Sequence, residues 1–195
     1  MHKFELIFVH LSELQIIKTS KNYNYVLNMK ENVELDLEEL LELMRYAFLR
    51  LDGAWFMASV EKLGLETATE LDVKAWEMFS ERLGKKIASI TNLKGDFSQT
   101  LPKLVKIQHT LMNMNSEIEV INESKMIHRV LECEVWRMVQ KVWTQDAVPC
   151  HKVTLASIRG LLKGAFPEKE FILKFKKKIP LGDPYCEIEI SVKNS

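Results

Sequence analysis

Residues 171–192, FILKFKKKIPLGDPYCEIEISV, decide the fold. The two halves of this stretch alternate apolar and polar residues, as half-buried strands do, and they flank LGDP, a Gly-Asp-Pro turn. On one face, lysines of the first half can lie opposite glutamates of the second half. The stretch therefore predicts an antiparallel pair of strands with its other face on the core. The residues predicted to point inward are Leu173, Phe175, Ile188 and Ile190.

Two more alternating segments lie upstream, SEIEVINE at 116–123 and MIHRVLEC at 126–133, and they predict a second hairpin. We expect Cys133, in phase with the apolar residues of its strand, to point toward the core. His128 lies on the opposite face, where a lone histidine is expected to be partly exposed or hydrogen-bonded. The face assigned to the core carries Ile127, Arg129, Leu131 and Cys133.

Apolar residues that recur every three or four positions predict a helical body in the first half of the chain. A first helix begins near Leu35, with acidic residues in its first turn, and continues toward Gly64. A second spans about 66–90 and a third about 97–112, and helices at 134–143 and 150–166 follow the second strand. The inward face predicted for the second helix consists of Leu71, Ala75, Met78, Phe79 and Leu83.

This order of elements predicts an α+β fold, with an N-terminal helical body packed on a C-terminal antiparallel sheet of about four strands with inserted helices. Residues 1–28 lack an apolar period, and Met29 is an alternative start. They are a candidate N-terminal extension, and residues 29–195 are expected to form a single α+β domain.

Composition narrows the classes of partner. The chain has 27 Lys and Arg against 27 Asp and Glu, so no net charge attracts it to nucleic acid or to an anionic membrane. No apolar stretch approaches the ~20 residues that span a bilayer. We therefore expect a cytoplasmic protein without nucleic-acid or membrane partners, whose three cysteines stay reduced.

The cysteines are the candidate chemical groups, and two functional interpretations follow from them. In the first, Cys133, Cys150 and Cys186 bind zinc, with His151 or His128 as the fourth ligand. The spacings are long and there is no CxxC. A plainer alternative is that the three are simply small buried hydrophobic residues.

In the second interpretation one cysteine is a nucleophile, and Cys150 is the best candidate. It stands at the predicted start of a helix, where free N–H groups would lower the pKa of its thiol. His151 or His128 would act as its base, and Asp183 or Glu132 would orient that base. Trp136, three residues after Cys133, is placed to form a pocket wall beside that sulfur.

The segment LDGAWFMASVEKLGLETATELDVKAWEMF at 51–79, the strand that ends in Cys133, and GDPYCEIEI at 182–190 together resemble a known family. The chain is similar to the L-2-amino-thiazoline-4-carboxylic acid hydrolase family and, more distantly, to the 4-vinyl-reductase domain, a hydrocarbon-binding module. The resemblance implies site positions at Cys133, Cys150 and Cys186, at Gly182 and Asp183, and a pocket wall at Trp55. Glu134-Val135-Trp136 departs from the family pattern, which has Pro and Gln there.

Three hypotheses follow. The first is a domain that binds a small apolar or heterocyclic ligand in a cysteine-lined pocket, with zinc as a candidate cofactor. The second is a hydrolase of a small cyclic amidine-like substrate, in which Cys150 or Cys186 attacks and Asp183 assists. The third is an interaction protein that forms a homodimer through exposed parts of its first helix.

Overall fold

In a computed structural model of the protein, residues 35–93, 95–141 and 149–193 are described. Within them the predicted α+β fold is confirmed: helices come first, and an antiparallel sheet with inserted helices follows. The helices are α1 (Leu37–Leu63), α2 (Leu65–Thr91), α3 (Phe97–Leu111), α4 (Glu134–Val139) and α5 (Cys150–Ala165). The strands are β1 (Asn115–Asn122), β2 (Lys125–Glu132), β3 (Phe171–Lys177) and β4 (Cys186–Val192), with a short 3-10 helix (Ile179–Leu181) before β4.

The chain separates into two compact units between Phe48 and Leu49, inside α1 and within the range 29–195 predicted to be one domain. In the first unit, α1 begins with a reciprocal cap: the Asp36 amide donates to Glu39, and the Glu39 amide donates to Asp36 at 2.8 Å. The helix predicted over 134–143 ends earlier, at Val139, and its predicted residues 142–143 lie outside the described residues, as does the predicted extension 1–28.

The sheet belongs to the second unit and has the strand order β1-β2-β4-β3, with all pairs antiparallel. Its inner face packs on α3 and α5, and the core between them is made of bulky aliphatic residues. As predicted, Ile188 and Ile190 of β4 point inward and are fully buried. The largest side chains of this core are Leu101, Leu104, Met126, Leu161, Leu162, Ile188 and Ile190.

The inner face of β2 differs from the prediction. Met126, His128 and Val130 are buried, whereas the face assigned to the core carries Arg129. Arg129 donates to Glu187 of β4 at 2.7 Å, and it also pairs with two glutamates of β1. Because this charged cluster must stay near water, the sheet turns that face outward and buries the alternate residues.

Helices α2 and α5 cross closely, because small residues line their contact. A methyl group added at Gly160 or Gly164 would collide with carbonyl oxygens of α2, and one added at Gly84 would collide with the Leu161 carbonyl of α5. The inward face predicted for α2 was therefore wrong, since Leu71 and Met78 are about half exposed, at 52% and 47%. The buried residues of α2 are Ala68, Thr69, Trp76, Ser80, Gly84 and Ile87.

Hydrogen bonds fix the register of this crossing. The Ser80 and Ser157 hydroxyls lie 2.9 Å apart in the contact, and the Gln108 amide of α3 donates to the Ser157 hydroxyl at 3.0 Å. All three side chains are buried. Each of these three buried side chains thus has a hydrogen-bond partner. The bonds connect α2, α5 and α3 into one rigid scaffold above the sheet.

Candidate functional site

The three cysteines come from distant parts of the chain to one end of the sheet, and we call Cys133, Cys150 and Cys186 the thiol cluster. Cys133 caps the start of α4 directly after β2, Cys150 begins α5, and Cys186 begins β4. The thiols are near enough that negative charge on Cys133 or Cys186 would raise the pKa of Cys150. All three side chains are half-buried and free of disulfides.

Burial keeps these thiols protonated. It is the main cause that raises the pKa of Cys150 to about 12, and the two neighbouring thiols add to the effect. Burial likewise raises the pKa values of Cys133 and Cys186. The prediction that a helix N-terminus lowers the pKa of Cys150 was wrong. The His151 amide and the Lys178 charge do lower it, but by less than burial raises it.

Asp183 and Gly182 shape the turn that leads into Cys186. The Lys178 amide donates to the Asp183 carboxylate at 2.7 Å, and Gly182 has a φ of 92°, which favours glycine. The Ile179 amide donates to the Cys186 sulfur at 3.4 Å. The Asp183 charge raises the pKa of Cys186, so this carboxylate opposes a thiolate there.

The remaining predicted site residues are spread more widely. The Trp136 amide donates to the Cys133 sulfur at 3.4 Å, which places this tryptophan beside the thiol cluster. Trp55 is 69% exposed, so the described residues do not enclose it as a pocket wall. Glu132 is exposed and pairs with Arg137 at 3.6 Å. His151 is half-buried, and its pKa is lowered by burial and by the nearby Lys178 and Lys152 charges.

Zinc was the cofactor predicted for the thiol cluster. Within ranges 35–93, 95–141 and 149–193, no group of three or more His, Cys, Asp or Glu side chains is placed to hold a metal ion. Zinc sites bind thiolates at about 2.3 Å from the metal, and metal binding itself releases the thiol protons. Zinc at Cys133, Cys150, Cys186 and His151 therefore stays a prediction.

A second, apolar cluster includes side chains of α4 and α5, the helices that follow Cys133 and begin at Cys150, and we call it the Trp76 cluster. Its centre is Trp76 of α2, which is only 7% exposed. Val135 and Met138 of α4 follow Cys133, and Val153 of α5 follows Cys150 by three residues, so the two clusters share α4 and α5. The whole Trp76 cluster consists of Leu49, Trp76, Met112, Met114, Val135, Met138 and Val153.

His128 is the notable residue that sequence reasoning misjudged. It is 0% exposed, and neither ring nitrogen has a hydrogen-bond partner among the described residues. Its ring lies 4.7 Å from that of His109, whose Nδ1 is 2.6 Å from the Ser116 hydroxyl. Burial lowers the pKa of His128 to about 3 and that of His109 to about 4. The sequence signal that could have predicted this burial is the neighbouring Arg129. An arginine that faces outward places the next residues along the strand on the inner face.

Solved structures with a similar fold come from several kinds of protein. One is a trafficking protein particle complex subunit 3 from Naegleria fowleri covalently bound to palmitic acid, with 14% identity, a TM-score of 0.60, and coverage of 78% of this chain and 97% of that one. Another is the phenol-responsive sensory domain of the transcription activator PoxR with phenol, with 16% identity, a TM-score of 0.53, and coverage of 74% and 73%. At these identities the likeness establishes the fold alone.

A vinyl-4-reductase family protein from Methanocaldococcus jannaschii matches with 16% identity over 61% of this chain and 68% of that one. Its TM-score of 0.38 is too low to support an argument. No curated protein matches the sequence at a significant level. Among the described residues, no helix combines the length and apolar composition that crossing a membrane requires.

The sequence matches a family model over residues 30–163, which is more than half of the chain. The chain therefore belongs to a family of unknown function, DUF6125.

Proposed function

We propose that this chain binds a small apolar ligand at the end of the sheet, between the thiol cluster and the Trp76 cluster. The observation that carries the proposal is the meeting of three half-buried, protonated thiols at one end of the sheet, where α4 and α5 also contribute apolar side chains to the Trp76 cluster. A protonated thiol is a small, weakly polar group, and methionine side chains adapt to ligands of different shapes. Together they suit an apolar molecule better than a charged one.

The two solved structures described above with TM-scores of 0.60 and 0.53 support this class of ligand. One carries palmitic acid and the other carries phenol, and each of these molecules has an apolar body with a single small polar group. The shared fold thus accommodates apolar ligands of different lengths. The identity of the ligand of this chain is left to experiment.

The alternative function, a cysteine-dependent hydrolase similar to L-2-amino-thiazoline-4-carboxylic acid hydrolase, needs a thiolate nucleophile. A pKa of about 12 for Cys150 leaves on the order of one molecule in 10⁵ ionised at pH 7. Asp183 makes the ionisation of Cys186 harder, and Glu132 pairs with an arginine at the surface. These features favour binding over hydrolysis.

Isothermal titration calorimetry with toluene and with palmitic acid tests the proposal. We expect both to bind, and Val153→Phe to weaken binding at least about tenfold, because the larger ring fills the space beside Cys150. Ile172→Phe is the matched control: it adds the same ring to a residue that is 43% exposed on β3 and should leave the affinity unchanged. Equal affinities in all three proteins, or no binding to the unaltered chain, would contradict the proposal.

A further inference from the structure

Two unsatisfied nitrogen atoms lie inside the fold at His128. A buried polar group without a hydrogen bond is costly, and native proteins almost always supply a partner from protein, water or ligand. The described residues supply none to either nitrogen of His128, whereas the adjacent His109 has the Ser116 hydroxyl. No described protein group relieves this cost at His128, so the missing partner is a bound molecule, either an internal water or a ligand.

His128 lies one row of side chains inward from the thiol cluster. In the sheet, Val130 pairs with Cys186 and His128 pairs with Ile188, so Cys186 and His128 occupy the same inner face. Such diagonal neighbours on antiparallel strands are about 7–8 Å apart. A ligand of the size of one aromatic ring is long enough to span that distance.

Methionines next to His109 can make room for such a molecule. The Met112 and Met114 amides both donate to the His109 carbonyl, at 3.1 and 2.9 Å, and both side chains belong to the Trp76 cluster. His109 in turn contacts the His128 ring. Methionine has three rotatable bonds and refills irregular spaces easily, so the segment that follows His109 carries adaptable side chains.

We propose that His128 binds a neutral hydroxyl group on the apolar ligand, a proposal that rests on the proposed function and names the ligand class. A neutral imidazole has one donor and one acceptor nitrogen, and a hydroxyl group can accept from the first or donate to the second. A carboxylate or an ammonium group fits poorly, because the titratable side chain that contacts His128 is the buried, partnered His109, which offers no opposite charge.

The test compares benzyl alcohol with toluene, two ligands that differ by one hydroxyl group, by calorimetry. In the unaltered chain we expect benzyl alcohol to bind about tenfold more tightly than toluene. That factor corresponds to the free energy of one hydrogen bond to a buried group. His128→Phe keeps the ring and removes both nitrogens. It should abolish the preference for the alcohol while toluene still binds.

A second measurement does not depend on any variant. Long-range ¹H–¹⁵N spectra of the histidine side chains report hydrogen bonding at each ring nitrogen. We expect benzyl alcohol, and not toluene, to shift a His128 nitrogen signal, so toluene is the control ligand for any effect of binding alone.

The possible results separate the two proposals. If toluene and benzyl alcohol bind equally and neither shifts the His128 signals, ligand binding stands and the role of His128 is refuted. If a His128 nitrogen is already hydrogen-bonded without ligand and stays so, an internal water is its partner and the inference is refuted as well. If neither compound binds, both proposals fall together.

Discussion

Two parts of the second unit differ in how tightly they pack and in whether their buried polar groups are paired. At the crossing of α2 and α5, glycines let the backbones touch, and the Ser80 and Ser157 hydroxyls pair with each other. At the end of the sheet, methionines and thiols gather, and the His128 nitrogens are unpaired. The first part can hardly move without a collision, whereas the second has adaptable side chains and unmet polar groups. The difference teaches that a rigid helix crossing can support a neighbouring region in which buried polar groups lack a protein partner.

The largest expected effect comes from overfilling the crossing. Gly160→Val should lower the free energy of unfolding by about 3 kcal/mol, because the new side chain collides with the Glu77 carbonyl and forces the helices apart. Gly53→Ala is the control, since nothing lies within 4 Å of its added methyl group. That change should stabilise the helix by about 0.5–1 kcal/mol. Urea denaturation measures both, and similar losses in the two variants would contradict the close crossing.

A pH effect of nearly that size is expected at the end of the sheet. The pKa of His128 is about 3 in the fold and near 6.5 when unfolded, so the unfolded chain binds the extra proton as the pH falls. The stability contributed by neutral His128 is present above pH 6.5 and is lost on acidification toward pH 3. His109, with a pKa of about 4, acts in the same direction.

His128→Phe isolates this contribution. It should reduce the slope of unfolding free energy against pH by about 1.4 kcal/mol per pH unit between pH 6 and pH 4. Chemical denaturation at several pH values measures the slope for the variant and the unaltered chain. Identical slopes would mean that His128 is not buried in its neutral form.

A smaller loss is expected when one hydrogen bond is removed from the crossing. Ser80→Ala removes one of the two hydroxyls that meet at 2.9 Å and should cost about 1–2 kcal/mol. Ser59→Ala removes an exposed hydroxyl that bonds the Trp55 carbonyl, and it should stay within about 0.5 kcal/mol of the unaltered chain. Thermal denaturation separates the two, and equal shifts would argue against a buried hydrogen-bond network.

The smallest effect is expected on the outer face of the sheet. Arg129→Met breaks the ion pairs to Glu187, Glu117 and Glu119, at 2.7, 3.4 and 2.8 Å. Surface ion pairs contribute little, so the loss should be about 1 kcal/mol or less and should shrink in 1 M salt. A large loss that salt does not change would instead indicate that Arg129 packs in the interior.

The sequence predicted the class of fold because strand alternation and helical periodicity are strong local signals. Hydropathy could not predict the face of α2, since Ser80 and Gly84 are buried because the two helices approach closely there and not because they are apolar. The face of β2 was misjudged for a related reason: Ile127 is apolar, yet Arg129 beside it pairs with glutamates on neighbouring strands that are distant in sequence.

The candidate site was predictable in part. The places of the three cysteines at predicted strand and helix ends led to the hypothesis that they meet, whereas their protonation state depends on burial that only the folded chain creates. A helix N-terminus is visible in the sequence and desolvation is not, so the direction of the pKa shift at Cys150 was predicted wrongly. The unpaired nitrogens of His128 are a tertiary property as well.

Alkylation by iodoacetamide, followed separately at Cys133, Cys150 and Cys186 by peptide mass spectrometry, tests ligand binding at the thiol cluster most directly. At pH 7 we expect all three to react slowly, since burial raises their pKa values. Toluene at ten times its dissociation constant should slow them by about a further tenfold. Rates that toluene leaves unchanged, or rapid reaction at Cys150 alone, would contradict the account.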